Sequence, residues 1–269
     1  TTMNDVYCST KFTELQVHIQ SRQLYNCCKA YPERVNLDWL EKNPGKLFHT
    51  PTMTQDRTEM LAGKKCKSCD YGCYQYEAQG LTSDRARSTP IKIDNIYHPL
   101  KKLQISLSTD CNLTCAYCDS YSSTSWYQDI KKNGEYDVDG YRNKVDNWSF
   151  LWNKMKQKDR SIDSRFFQLL LNEIKLTPSI ENITLLGGEP LLHNSLTELL
   201  ETIKDKKITI VSGLGVNKIK LIKILNKVKD YNIQFNISAE TTGPLFEFIR
   251  YGSGWKDFQD KMSLIKEAG

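Results

Sequence analysis

Residues 103–118 read LQISLSTDCNLTCAYC, and this stretch decides the fold. Its first part, Leu103 to Leu107, is a short run of Leu and Ile of the kind that forms a buried strand. A polar turn of Ser108, Thr109 and Asp110 follows, and then three cysteines, Cys111, Cys115 and Cys118. A strand that empties into a chemically reactive loop is the arrangement of α/β proteins, which carry function at the carboxyl ends of their strands.

Further along the chain the same unit recurs. Ile183 to Leu186, Ile208 to Val211 and Ile233 to Ile237 are short, apolar strand candidates. Helical spacing links them: Phe167, Leu170, Leu171, Ile174; then Leu196, Leu199, Leu200, Ile203; then Leu221, Ile224, Leu225, Val228. A looser set, Trp255, Phe258, Met262 and Ile265, follows the last strand. The alternation predicts an α/β fold, a partial (βα) barrel with parallel strands. Four such units do not close an eight-stranded barrel, so an open partial barrel or a chain truncated at its C-terminus is expected. Tyr127 to Arg160, polar and carrying Trp148 and Trp152, reads as a peripheral helical insertion, with a lid over a pocket as the alternative.

Toward the N-terminus the pattern changes. Residues 1–90 hold six of the nine cysteines and little helical periodicity. Leu15 to Ile19 and Gln23 to Cys27, joined by Gln20, Ser21 and Arg22, predict a β-hairpin that sets Cys8 before one strand and Cys27 and Cys28 after the other. Two domains are therefore expected, a small Cys-rich β-hairpin domain over 1–90 and the partial barrel over 91–269, meeting near Ser88, Thr89 and Pro90.

With 269 residues and 39% hydrophobic content the chain can bury a substantial core. It contains no run of eighteen apolar residues, and its first residues lack the basic and apolar regions of a signal peptide, so a soluble, cytoplasmic protein without a membrane partner is expected. An odd number of cysteines in such a chain points to metal or catalytic thiols rather than disulfides. The net charge of +5 comes largely from lysines scattered along helical faces, Lys218, Lys220, Lys223 and Lys227 among them, which disfavours nucleic acid as a partner.

Three thiolates this close in sequence can surround one corner of an iron-sulfur cubane. Each iron of a [4Fe-4S] cluster takes one protein ligand, so three cysteines leave one iron open for a cofactor or substrate. Zinc would need a fourth ligand, and only Asp119 stands nearby. At the end of the second strand, Gly187, Gly188, Glu189 and Pro190 form a turn whose glycines permit positive φ and close backbone approach, to a ligand or simply to a neighbouring loop.

Cys-x3-Cys-x2-Cys with Tyr117 before the third cysteine, followed by Gly-Gly-Glu-Pro after a later strand, resembles the radical S-adenosylmethionine (SAM) superfamily. The resemblance implies a [4Fe-4S] cluster on Cys111, Cys115 and Cys118 whose open iron chelates SAM and splits it reductively to a 5′-deoxyadenosyl radical. It implies an electron donor such as a flavodoxin or ferredoxin. Tyr117 would lie beside the adenine through its backbone, and Gly187, Gly188, Glu189 and Pro190 would contact the methionyl amino group. Ser238 and Glu240 would make polar contacts to the ribose or carboxylate. Arg250 would pair with the SAM carboxylate, an ordinary surface arginine being the alternative. Longer stretches, Leu103 to Trp126 and Phe248 to Trp255, resemble the twitch-domain branch of that family. Two departures stand out: Glu240 replaces the usual Asp, and the third strand ends in Ser212-Gly-Leu-Gly-Val-Asn217 rather than Thr-Asn-Gly.

That branch also resembles the N-terminal pattern, a cysteine before a hairpin, a Cys-Cys pair after it, and a cysteine preceding Tyr-x2-Glu-x2-Gly-x2-Ser-x-Arg, here Cys73 to Arg85. The implied group is an auxiliary iron-sulfur cluster on four of Cys8, Cys27, Cys28, Cys66, Cys69 and Cys73, with a structural zinc site as the alternative. His18, His49, His98 and His193 show no metal spacing. The function expected is hydrogen abstraction from a substrate, with a peptide or protein favoured over a sugar, nucleotide or RNA. A non-enzymatic zinc-bound interaction module is the reading from another class.

Overall fold

The computed structural model describes residues 6–87, 91–120, 122–134 and 164–268. The expected domain junction at 88–90 and most of the insert expected over 127–160 lie outside the described residues. In chain order the strands are β1 (Glu14–His18), β2 (Gln23–Tyr25), β3 (Glu33–Arg34), β4 (Lys102–Ser106), β5 (Thr114–Cys115), β6 (Asn182–Leu186), β7 (Lys207–Ser212), β8 (Ile233–Ile237) and β9 (Arg250–Tyr251). The longer helices are α1 (Pro51–Leu61), α2 (Thr124–Asn133), α3 (Ser164–Leu176), α4 (Leu196–Thr202), α5 (Lys218–Val228), α6 (Gly243–Ile249) and α7 (Trp255–Glu267). The chain divides into two compact units, Thr1–Ile105 with Asp163–Thr184 and Ser106–Ile162 with Leu185–Gly269.

In the first unit the strand order is β3-β2-β1-β4-β6. The expected hairpin is present: β1 and β2 pair antiparallel with Val17 opposite Leu24. Side chains on a strand alternate between faces, so Leu15, Val17 and Leu24 turn inward and are fully buried. Helix α3 buries Phe166, Phe167, Leu170, Leu171 and Ile174, a 3.6-residue stripe that the sequence shows directly. One charge on that helix is buried too. Glu173 accepts from the Gly45 and Leu47 amides at 2.7 and 2.9 Å, satisfying a loop that would otherwise bury two bare donors.

The second unit has the order β6-β7-β8 with α4 and α5 as the connections, which is the expected α/β alternation. β7 and β8 run parallel, Ile208 beside Ile233 through Ser212 beside Ile237. β7 buries Ile208 and Ile210, and α5 buries Leu221, Ile224, Leu225 and Val228. Asn217 caps α5 by accepting from the Lys220 amide at 2.8 Å. Helix α6 was not expected from the sequence. Its Phe246 packs with Trp255 and Phe258 of α7, with ring centroids 5.1 and 4.6 Å away. Among the described residues no helix is long and apolar enough to cross a membrane.

Replacing Glu173 with Ala should strand the Gly45 and Leu47 amides and lower stability by about 2 kcal/mol in urea denaturation. A loss within a few tenths of that of an exposed control such as Glu267→Ala would show that the carboxylate carries no structural weight.

Candidate functional site

The cysteine loop hangs from the end of β4 and is fastened on three sides within the second unit. The first fastening is the turn after β6. Gly188 donates its amide to the Ser108 carbonyl at 2.9 Å, and Glu189 donates to the Asp110 carbonyl at 2.7 Å. Both glycines are needed for this approach. Gly187 sits at φ +136°, and a Cβ there would lie 2.6 Å from the Ser108 oxygen; one on Gly188 would lie 2.5 Å from the Asp110 oxygen. The chain just before Cys111 is thus clasped backbone to backbone.

The second fastening is a run of hydroxyls that opens α2. Ser123, fully buried, donates to the Leu113 carbonyl at 2.8 Å. Thr124 and Ser125 donate to the Cys111 carbonyl at 2.9 and 2.8 Å, and the Cys111 amide donates back to Thr124 Oγ1 at 3.0 Å. Trp126 Nε1 donates to the Cys115 carbonyl at 2.9 Å. The third is a two-residue antiparallel pairing that sets Cys115 opposite Arg250, with Ala116 donating to the Ile249 carbonyl at 2.8 Å.

Glu189 is 3% exposed and fully occupied by the protein. One carboxylate oxygen accepts from Leu191 N at 3.1 Å and Ser212 Oγ at 2.8 Å; the other accepts from Gly213 N at 3.0 Å and Gly215 N at 3.1 Å. It therefore ties the end of β6 to the loop after β7. Pro190 is buried at the start of the short turn of helix that follows.

Cys115 is buried, and Cys111 and Cys118 are half-buried. Burial pushes the Cys118 thiol up to about 11, a backbone hydrogen bond from Asp119 opposes this, and the Cys111 and Cys115 sulfurs add to the rise. Cys111 and Cys115 are raised for the same reason, burial. The three thiols stand on one short loop, and a donor set of three soft thiolates suits an iron-sulfur cluster with one iron left to another ligand. Among the described residues no three His, Cys, Asp or Glu side chains gather tightly enough to hold a single metal ion.

At the rim, Ser238 donates its amide to the Ser212 carbonyl at 3.0 Å. Glu240 pairs with Arg250 through two hydrogen bonds, 2.7 Å to Nε and 2.8 Å to Nη2. Arg250 is not a surface arginine: it is 3% exposed, its guanidinium lies 5.6 Å from the centre of the Tyr117 ring, and Nη1 stands 4.0 Å from Cys115 Sγ. Sequence reasoning found Glu240 and Arg250 singly and missed their pairing. A cleft of about 400 Å³ opens beside the loop, lined in part by Asn112, Thr114, Gln128, Lys132 and Tyr251. His193 accepts from the Ser195 amide at 3.1 Å and packs its own turn.

The first unit holds the other six cysteines. Cys8, Cys66, Cys69 and Cys73 are buried, Cys27 is half-buried and Cys28 is exposed. Burial raises the Cys27 thiol to about 11, with Cys28, Cys8 and Cys73 adding to the rise. The Cys69 thiol donates toward Cys66 and holds it well below the usual thiol range, and Lys11 reinforces this. That lysine, 2% exposed, donates to Asp56 at 2.6 Å, to Asn26 at 3.4 Å and to Ser68. Gly72 lets the Cys69–Cys73 turn press on the loop after Cys28, since a Cβ there would lie 2.3 Å from the Lys29 carbonyl oxygen. Arg85 joins the ends of the motif, donating to Glu77 at 3.0 Å and to the Tyr7 carbonyl, next to Cys8, at 3.2 Å. The sequence pattern from Cys73 to Arg85 is in this respect a staple for the segment that carries Cys8.

The sequence model of the Radical SAM superfamily matches residues 105–269, more than half of the chain. Among curated proteins, the chain is 26% identical over 176 residues to a probable GTP 3′,8-cyclase of Methanocaldococcus jannaschii, covering 65% of this chain and 47% of that one. It is 27% identical over 154 residues to the GTP 3′,8-cyclase of a Synechocystis strain, covering 55% of this chain and 36% of that one. The chain thus spans less than half the length of these relatives. Among solved structures, Streptococcus suis SuiB bound to S-adenosylmethionine aligns with 100% of this chain and 55% of its own, at 18% identity and a TM-score of 0.35.

Substituting Glu189 with Ala leaves the Ser212 hydroxyl and three amides without their acceptor. We expect a loss of about 3 kcal/mol in chemical denaturation. A loss below about 1 kcal/mol would contradict the role of Glu189 as the tie between the β6 and β7 loops.

Proposed function

This chain belongs to the radical SAM superfamily, and from that membership we propose that it is an enzyme that holds a [4Fe-4S] cluster on Cys111, Cys115 and Cys118 and cleaves S-adenosylmethionine reductively. The observation that carries this reading is the placement of three thiols on one loop fastened beyond the carboxyl ends of the strands. When bound, the cluster and SAM supply the chemistry, one electron splitting SAM to methionine and a 5′-deoxyadenosyl radical that takes a hydrogen atom from the substrate. The protein's own part is positional. The Gly187–Glu189 clasp and the Ser123–Trp126 run hold the loop, the backbone of Gly187, Gly188 and Pro190 faces the methionyl end, and Tyr117 and Ser238 contribute to the nucleoside side. A small electron-transfer protein is the partner that this chemistry requires.

An auxiliary iron-sulfur cluster in the N-terminal unit is the second element of the proposal. Cys27 feels the charges of Cys8 and Cys73, and Cys69 that of Cys27; these four are the ligand set favoured here, with Cys66 beside Lys11 as the alternative. Cys28 is exposed, which disfavours it. The substrate reading is a peptide, supported by the resemblance of the cysteine pattern to the twitch-domain branch. A nucleotide is the second reading, favoured by the GTP 3′,8-cyclase names of the curated relatives.

Reduced, anaerobically reconstituted protein incubated with SAM should form 5′-deoxyadenosine, and Cys111→Ala, Cys115→Ala and Cys118→Ala should each abolish it. Absence of product from iron-loaded protein would overturn the assignment. Iron analysis should give about eight irons per chain. About four would remove the auxiliary cluster, and zinc in place of iron would remove the enzyme reading altogether. Stimulation of 5′-deoxyadenosine formation by GTP would favour the nucleotide over the peptide.

A further inference from the structure

Arg250 touches Cys115 in two ways. Its backbone is paired with that of Cys115 across β5 and β9, and its Nη1 approaches Cys115 Sγ to 4.0 Å. Being 3% exposed, its charge is poorly screened by water, and it acts on the sulfur through protein rather than solvent. Two further residues fix where the guanidinium sits. Glu240 grips the Nε and Nη2 edge at 2.7 and 2.8 Å, which leaves Nη1 as the free corner. Gly213 makes room for that corner, because a Cβ at this position would lie 2.6 Å from Nη1.

We propose that Arg250 is a positioning residue for the cluster, orienting Cys115 and lending it a positive charge that makes the cluster easier to reduce, with Glu240 and Gly213 setting the guanidinium in place. This rests on the assignment of Cys111, Cys115 and Cys118 as cluster ligands. Reduction adds an electron to the iron-sulfur core, and a cation or hydrogen bond at a ligating sulfur stabilises that added charge. Glu240 works against this through its own charge, so the two members of the pair act on the potential with opposite signs.

The test is an EPR-monitored redox titration of the anaerobic holoenzyme without SAM, following the reduced-cluster signal that changes when SAM is later added. Arg250→Gln should shift the midpoint to lower potential, and Glu240→Gln should shift it higher. Gly213→Ala keeps every charge and has only the end of a flexible side chain to displace, so it answers the question even where Arg250→Gln loads poorly. It should shift the midpoint in the same direction as Arg250→Gln. Wild-type potentials in both Arg250→Gln and Gly213→Ala would overturn the inference and leave the cluster assignment standing, above all if the affinity for SAM alone fell. A wild-type protein without a SAM-responsive cluster would overturn both.

Discussion

The backbone clasp between Gly187–Glu189 and Ser108–Asp110 is the constraint on which the site depends. Two amides reach two carbonyls at 2.9 and 2.7 Å, across a gap that no Cβ could share. The β6 loop is thereby fixed against the start of the cysteine loop, and Glu189, immediately beyond, extends the fastening to the loop after β7 through four hydrogen bonds. A carboxylate buried to this degree is tolerated only because each of its oxygens has donors. The glycines and the glutamate are therefore explained by the scaffold itself, before any cofactor is considered.

On that scaffold the three thiols are presented by a loop of little regular structure. Hydroxyls and an indole N–H take up its carbonyls from one side, and the β9 strand takes up its backbone from the other. Sites that must hold a reactive group at fixed geometry need such supporting contacts as much as the ligands themselves. Among the described residues, Arg250 combines a backbone pairing to Cys115 with a charge directed at that residue's sulfur.

Much of this was legible in the sequence. The strands β4, β6, β7 and β8 are short apolar runs separated by clear helical stripes, and their bounds fall within a residue or so of those expected. The triplet and Gly-Gly-Glu-Pro are local signals whose meaning lies in residue type and spacing. The Cys115–Arg250 pairing joins residues 135 positions apart and leaves no periodic trace. Helix α6 is only seven residues long and shows no extended helical stripe, although its proline is well placed in the first turn. Lys11 looks like an ordinary polar residue until the fold buries it against Asp56 and the Cys66–Cys69 turn. In each case tertiary contact supplied what local pattern could not.

The central claim is that Cys111, Cys115 and Cys118 leave one iron of a cubane open to SAM. Electron-nuclear double resonance on the reduced protein, with SAM labelled with 15N at its amino group, tests it most directly. The account predicts a nitrogen hyperfine coupling to the reduced cluster that is lost in Cys115→Ala. A cluster that binds iron normally and shows no coupling to the labelled amino nitrogen would contradict it.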